Sequence, residues 1–197
     1  MVRPQRWSVA TIALHWATAA VILTLIAVGW AMRYGGLNAA MTFDLYQWHK
    51  SLGFVALALT AARLIARALA AAPAPPASAR WERLLAPAVQ ALTYLMTIVS
   101  IAFGWLVVSA APLPVPTRIF GLFVAPNIAA PDPALFAEAR VAHQVAAWSI
   151  LGLVALHVAG ALRRHFIDRD DVLARMVPRW PPARSRRGSR SSSLTPT

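Results

Sequence analysis

The chain has 197 residues, of which 58% are hydrophobic and only 13% are charged, and it contains no cysteine. A soluble domain of this size usually carries about 25% charged residues, so the composition argues against a soluble protein and excludes disorder for most of the chain. The missing cysteines exclude disulfide scaffolds, iron–sulfur clusters and thiol nucleophiles. The net charge of +12 would suit nucleic-acid binding, but its meaning depends on where the charges lie.

Four apolar stretches follow one another along the chain, at about 8–32, 45–66, 84–111 and 141–162. A helix needs about 20 residues to cross a bilayer core of about 30 Å, whereas spanning strands are shorter and alternate. The second stretch is the weakest candidate because its uncharged middle, Ser51–Ala62, is short. Lys50 and Arg63 flank that middle, where long cations can reach the membrane surface. We predict an all-α, integral membrane four-helix bundle.

An alternative for the first stretch is a cleaved signal peptide, since Arg3 and Arg6 precede it. Its apolar run exceeds the about 7–15 residues typical of such a segment, and it lacks a convincing small-residue cleavage site. We therefore predict one transmembrane domain over 1–178 and a basic, disordered tail over 179–197. The Pro-rich connection over 112–140 is predicted to be a plain loop. In the alternative, its segment "GLFVAPN" lies along the membrane surface and covers the site beneath.

The cations are distributed unequally between the two ends of the predicted bundle. Fifteen arginines belong to the end that carries both termini, against four cations at the other end: Arg33, Lys50, Arg118 and Arg140. Loops that carry more Lys and Arg remain on the cytoplasmic side of a membrane. Both termini, and with them the tail, are therefore predicted to be cytoplasmic. The net charge is then a signal for orientation and for lipid headgroups, and no nucleic-acid partner is expected.

Four of the five histidines lie within these stretches or at their edges, where an ionisable side chain is costly and indicates function. His143 and His157 are 14 residues apart on the last stretch, which corresponds to about 21 Å along one face of a helix. With antiparallel spans, His15 reaches the depth of His157 on the inner side, and His49 reaches that of His143 on the outer side. The alternative is that each histidine forms an ordinary interhelical hydrogen bond.

Two imidazoles that face each other at one depth, twice, suit haem. Imidazole is a common axial ligand of haem iron, and bundle cores build cofactor sites from facing helices. Iron with both axial positions filled favours electron transfer over oxygen binding. Zinc requires three or four ligands at one point, which two separate pairs do not supply. The four histidines are thus predicted to ligate two haem irons, one near each membrane surface.

The chain also resembles the bacterial cytochrome b561 family of dihaem membrane proteins over about residues 5–178. The matching segments are "RWSVATIALHW", "QWHKSLGFVALALTAARLIAR", "EARVAHQVAAWSILGLVALHVAGALRRHF" and "RDDVLARMVP". The resemblance implies two haem b groups, with His15 and His157 on the inner iron and His49 and His143 on the outer iron. Some stand-alone members have histidine where this chain has Arg164, which puts any role for a histidine pair there in doubt.

The most similar members of that family are stand-alone cytochromes that act as superoxide oxidases. They oxidise superoxide to oxygen at the outer side and reduce ubiquinone in the membrane. Longer relatives are haem-bearing anchor subunits that carry electrons between a dehydrogenase or hydrogenase and the quinone pool. Because this chain has no obvious extra domain, the resemblance favours the stand-alone activity. The anchor role, with a protein partner, is the alternative, and the sequence does not indicate an oligomeric state.

Three further residues are predicted to serve substrates, and one is predicted to serve haem. Lys50 adjoins His49 and Arg140 precedes His143 by three residues, so both can attract a small anion or contact outer haem propionates. Arg63 can pair with an inner propionate. In each case the alternative is an ordinary interfacial cation. His165 can serve the quinone through hydrogen bonding or proton transfer, with Ser8 and Trp16 as further candidates; the alternative is an ordinary interfacial histidine.

Overall fold

The computed structural model describes residues 6–70, 80–113 and 115–177. Four long helices account for most of them: α1 (Val9–Tyr34), α2 (Ala39–Leu69), α3 (Arg80–Ala110) and α4 (Pro133–Phe166). Each helix is long and apolar enough to cross a membrane, which confirms the predicted all-α membrane bundle. The predicted tail over 179–197 and Arg3 lie outside the described residues.

Polar caps extend the helices beyond the apolar stretches that predicted them. The Ser8 hydroxyl accepts a hydrogen bond from the Thr11 backbone N–H, and Asn38 caps α2 in the same way. Asp132 caps α4, which begins with Pro133. Because hydropathy detects only the apolar part of a helix, α2 begins six residues and α4 eight residues before the predicted spans. Such caps satisfy backbone donors that have no partner within the helix.

The helices run alternately up and down, as contacts between their ends show. Arg67 on α2 donates to Gln90 on α3, and Phe54 packs against Trp105 further along the same pair. Helix α3 packs most extensively on α4. We call the end with the first residues of α1 the terminal end, and the opposite end, where α3 stops, the hairpin end.

Small polar residues occupy the interior of the bundle, and large apolar residues face outward. The most deeply buried side chains include Thr18, Ser51, Thr60 and Ser109. Several of these hydroxyls donate to the carbonyl four residues earlier, as Thr18 does to Leu14 at 2.6 Å. Small residues let membrane helices approach closely, while lipid solvates the apolar exterior. The interior is therefore shaped by small side chains around the histidine rings.

A short β-hairpin replaces part of the plain loop predicted over 112–140. Strands β1 (Thr117–Ile119) and β2 (Phe123–Ala125) pair antiparallel. The turn between them contains Phe120 and Gly121 at positive φ, a conformation that glycine adopts without cost. The expectation of a plain loop is wrong here. Strands of three residues are too short for an alternating pattern to be recognised in the sequence.

The segment 167–177 folds back over the terminal end of the bundle. The Trp16 indole donates to the Met176 carbonyl at 2.7 Å, and the Arg6 guanidinium donates to the Val177 carbonyl at 3.0 Å. Arg164 at the end of α4 forms an ion pair with Asp170 in the same segment at 2.6 Å. These contacts connect the beginning of α1 to the end of α4.

Glu82 is the carboxylate that links α3 to α4 at the terminal end, since it pairs with both Arg163 and Arg164. We expect Glu82→Gln to lower the midpoint of thermal unfolding, because Arg163 and Arg164 lose the carboxylate that they share. Thermal unfolding in detergent, followed by tryptophan fluorescence, measures the effect. The exposed Glu138, which has no ion pair among the described residues, provides the control Glu138→Gln; equal losses from both variants would contradict the prediction.

Candidate functional site

Two pairs of histidine rings face each other inside the bundle, one near each end. His15 on α1 and His157 on α4 have ring centroids 6.1 Å apart at the terminal end. His49 on α2 and His143 on α4 have centroids 6.2 Å apart at the hairpin end. These are the partners that the depth argument predicts. His157 is exposed, and the other three rings are half-buried.

The spacing of each pair suits two imidazoles on opposite sides of one iron. A bond of about 2 Å from metal to nitrogen, and about 1 Å from nitrogen to ring centroid, places two such centroids about 6 Å apart. No hydrogen bond joins the two rings of either pair in the described part of the chain. No cluster of three or more metal-ligating side chains occurs there either. The donor set fits a haem with two axial histidines.

Helix α3 contributes no histidine, yet it orients His143. The Nδ1 atom of His143 lies 2.8 Å from the backbone carbonyl of Ser100, to which it donates. This leaves Nε2 with a free lone pair, the arrangement by which a backbone carbonyl orients a metal-binding imidazole. A Cβ at Gly104 would lie 3.1 Å from the His143 ring. Ser100 and Gly104 therefore form the surface of α3 against which the His143 ring rests, which we call its seat. The only feature of the sequence that marks these two positions is the four-residue spacing of two small residues.

The ring of His49 is positioned mainly by packing. Its Nδ1 atom is buried and has no hydrogen-bond partner among the described residues. Gly29 on α1 leaves room for it, since a Cβ there would lie 3.6 Å from the His49 ring. The hairpin-end pair thus contains one imidazole oriented by a carbonyl and one held by close packing.

A cation lies beside the terminal-end pair. The guanidinium of Arg63 donates to Nδ1 of His15 at 3.1 Å and lies over the Tyr94 ring at 5.2 Å. The His15 ring that this cation contacts faces the His157 ring, with centroids 6.1 Å apart. Among the described residues Arg63 has no carboxylate partner. A half-buried cation without a counter-ion favours an anionic group beside it, and haem carries two propionates.

The two cations predicted to attract anions at the hairpin end, Lys50 and Arg140, contact groups other than the histidine rings. Lys50 is half-buried, and its ammonium donates to the Pro116 carbonyl at 3.4 Å. Arg140 is exposed and lies 6.0 Å from the Phe136 ring. Asp44, Asp132 and Glu138 belong to the same end, so any attraction of anions there depends on local placement and not on net charge.

The residues predicted to serve a quinone each contact a different part of the terminal end, and these contacts do not bring them into one pocket. The hydroxyl of Ser8 caps α1, and the indole N–H of Trp16 is bonded to the Met176 carbonyl. Trp16 also contacts His15 edge to face, with centroids 5.3 Å apart. His165 is exposed near the end of α4 and packs against Phe166. Its ring forms no hydrogen bond with the described residues.

Comparisons with known proteins agree with this geometry. A family model described as prokaryotic cytochrome b561 matches residues 6–179. Cytochrome b561 homolog 2 from Escherichia coli (strain K12) is 30% identical over 175 residues, which cover 88% of this chain and 92% of that protein.

Gly104 tests the seat of His143. We expect Gly104→Ala to reduce haem at the hairpin-end pair to less than half, because the new methyl group meets a ring 3.1 Å away on a tightly packed helix. The haem-to-protein ratio, from the reduced absorption spectrum of purified protein, measures the loss. Gly152→Ala is the matched control, since a Cβ there meets nothing within 4 Å. An unchanged ratio in Gly104→Ala would contradict the proposed seat.

Proposed function

The chain belongs to the prokaryotic cytochrome b561 family, and we propose that it binds two b-type haems and transfers electrons from superoxide to ubiquinone. As a member of this family it is a multi-pass bacterial membrane protein that transfers electrons with b-type haem. Superoxide as donor, ubiquinone as acceptor and the number of haems are the proposal. The observation that carries it is the presence of two histidine pairs, each spaced for one iron, at opposite ends of one bundle.

The two pairs would provide a path across most of the membrane. His143 and His157 are separated by 14 residues of continuous helix, which is about 21 Å of rise. Haem would supply reversible one-electron chemistry when bound, and the two histidines of each pair would hold it. The protein's part is to hold the rings, exclude water and keep the reacting molecules at the two ends. These roles of cofactor and protein suit an electron-transfer protein and do not suit an oxygen-binding protein.

The balanced reaction uses two superoxide anions for each quinone. Each superoxide gives up one electron and leaves as oxygen, and two electrons with two protons convert ubiquinone to ubiquinol. The proposed role of Lys50 and Arg140 is to raise the encounter rate of the anion at the hairpin end, a local electrostatic effect that salt weakens. His165 is proposed as a hydrogen-bonding or proton-transferring group for ubiquinone at the terminal end.

The proposed orientation places the hairpin end outside the cytoplasm and both termini inside, in the bacterial inner membrane. The support is the distribution of fifteen against four cations along the whole chain. Arg63 is proposed to pair with a propionate of the inner haem. Coordination through Nε2 of His15 puts a proton on its Nδ1, so the Arg63 N–H groups then need another acceptor, and a carboxylate beside them provides it.

The pairing of the ligands can be tested with single histidine variants. We expect His49→Ala and His143→Ala to lose the same haem signal, and His15→Ala and His157→Ala to lose the other, because each iron requires both rings of a pair. Low-temperature reduced absorption spectra and electron paramagnetic resonance distinguish the two signals. His165→Ala is the control and should retain both haems. Loss of different signals from His49→Ala and His143→Ala would refute the pairing.

The activity is tested by adding superoxide to the purified, haem-loaded protein. We expect rapid reduction of the haems by superoxide alone, followed by reoxidation when a soluble ubiquinone is added. Lys50→Gln should slow haem reduction at low ionic strength by about threefold to tenfold, and the difference should shrink in high salt. Arg33→Gln is a matched control that removes a cation from the same end. Haems that stay oxidised with superoxide, and become reduced only with a partner dehydrogenase or hydrogenase, would favour the anchor role.

A further inference from the structure

We propose that the β1–β2 hairpin lies in the lipid interface of the membrane, with its apolar tip in contact with the bilayer. The hairpin has two unlike faces. Thr117, Ile119 and Ala125 are at most 6% exposed and pack inward. Large apolar residues cover the opposite face and the tip, and four of them are between 44% and 81% exposed: Phe120, Leu122, Phe123 and Val124. Such a contiguous exposed apolar patch indicates an interaction surface.

The patch is continuous with a surface that already faces lipid. Phe120 contacts Trp48 edge to face, with ring centroids 5.7 Å apart. Trp48 is 56% exposed on α2, and exposed side chains of a membrane-spanning helix contact lipid. The tip of the hairpin therefore extends the lipid-facing surface of α2 sideways.

The length of α2 places this contact at the depth of the membrane interface. With 31 residues, the helix is about 46 Å long, whereas the apolar core of a bilayer is about 30 Å thick. Sharing the excess between the two ends leaves about 8 Å outside the core at each end. Trp48 lies about 14 Å from the beginning of the helix, so it falls just inside the apolar core. Because side chains on a helix point toward its N-terminus, the Trp48 ring and the hairpin against it lie nearer the boundary of the core, where aromatic side chains anchor proteins at the membrane interface.

The charge on the hairpin fits the same location. Arg118 is exposed at the centre of β1, opposite Val124. Its side chain forms no ion pair with the described residues. A cation beside apolar side chains suits lipid phosphates next to acyl chains. A lipid surface accommodates both the Arg118 cation and the apolar side chains beside it, whereas water accommodates only the cation.

The bundle holds the other side of the hairpin firmly. The buried Ser51 hydroxyl accepts a hydrogen bond from the Phe120 N–H at 3.0 Å, and it shares its own hydrogen between the Gln47 carbonyl at 3.0 Å and the Arg118 carbonyl at 3.2 Å. Ser51 is two residues beyond His49 on α2. The chain after β2 is bonded to α3, where Trp105 donates to the Pro126 carbonyl at 2.9 Å. A hairpin fixed in the lipid interface thus braces the turn of α2 that carries His49, whether or not superoxide is the substrate.

Because the chain contains no cysteine, a single introduced cysteine can be labelled specifically. A bimane fluorophore is attached to Leu122→Cys in protein reconstituted into phosphatidylethanolamine and phosphatidylglycerol vesicles. Matched samples contain lipids brominated near the headgroup. Tyr46→Cys, 52% exposed on α2 near the same boundary, is the control for contact with lipid, and Ala40→Cys in the first turn of α2 is the control for water. Phe123→Cys repeats the measurement if Leu122→Cys does not fold.

We expect bromolipids to quench the fluorophore at Leu122 at least twofold more than at Ala40, and aqueous iodide to quench it less. Quenching at Leu122 that equals that at Ala40, with full access to iodide, would overturn the proposal and leave the patch to a protein partner. Because the fluorophore reports position without haem, a failed result is distinguishable from failure of the proposed electron transfer.

Discussion

The constraint on which the structure depends is that two pairs of imidazole rings face each other inside an apolar bundle, with ring centroids about 6 Å apart. A histidine in a membrane interior is costly unless its nitrogens are used. The antiparallel order of the helices brings His15 to His157 and His49 to His143, because each pair joins residues at matching depths. The small side chains of the interior let the helices approach until the ring centroids are close to 6 Å apart.

Residue type revealed the paired histidines, but it did not reveal the groups that position them. Histidines are conspicuous in apolar stretches, so the four histidines, their depths and the four spans followed from the sequence. Ser100 and Gly104 were missed because Ser100 acts through its backbone carbonyl and Gly104 through the absence of a side chain. Neither property depends on an unusual residue type. Only the packing of α3 against α4 identifies them.

The segments outside the apolar stretches were predicted less well, for a related reason. The starts of α2 and α4 depend on Asn38 and Asp132, whose capping bonds form only once the helix is in place. The hairpin depends on contacts with Ser51, 69 residues before Phe120 in the chain. Tertiary contacts of this kind override local preference. Hydropathy therefore gives the number of spans reliably and their polar extensions poorly.

The two ends of the bundle differ in the groups that contact the histidine rings. At the terminal end, the Arg63 guanidinium donates to Nδ1 of His15. At the hairpin end, Nδ1 of His143 donates to the Ser100 carbonyl, and Nδ1 of His49 has no hydrogen-bond partner among the described residues. A nearby cation stabilises a centre that gains an electron, and it does so more strongly where water is excluded. The two histidine pairs therefore give their sites unequal surroundings, one with a cation in hydrogen-bond contact and one with a neutral backbone carbonyl.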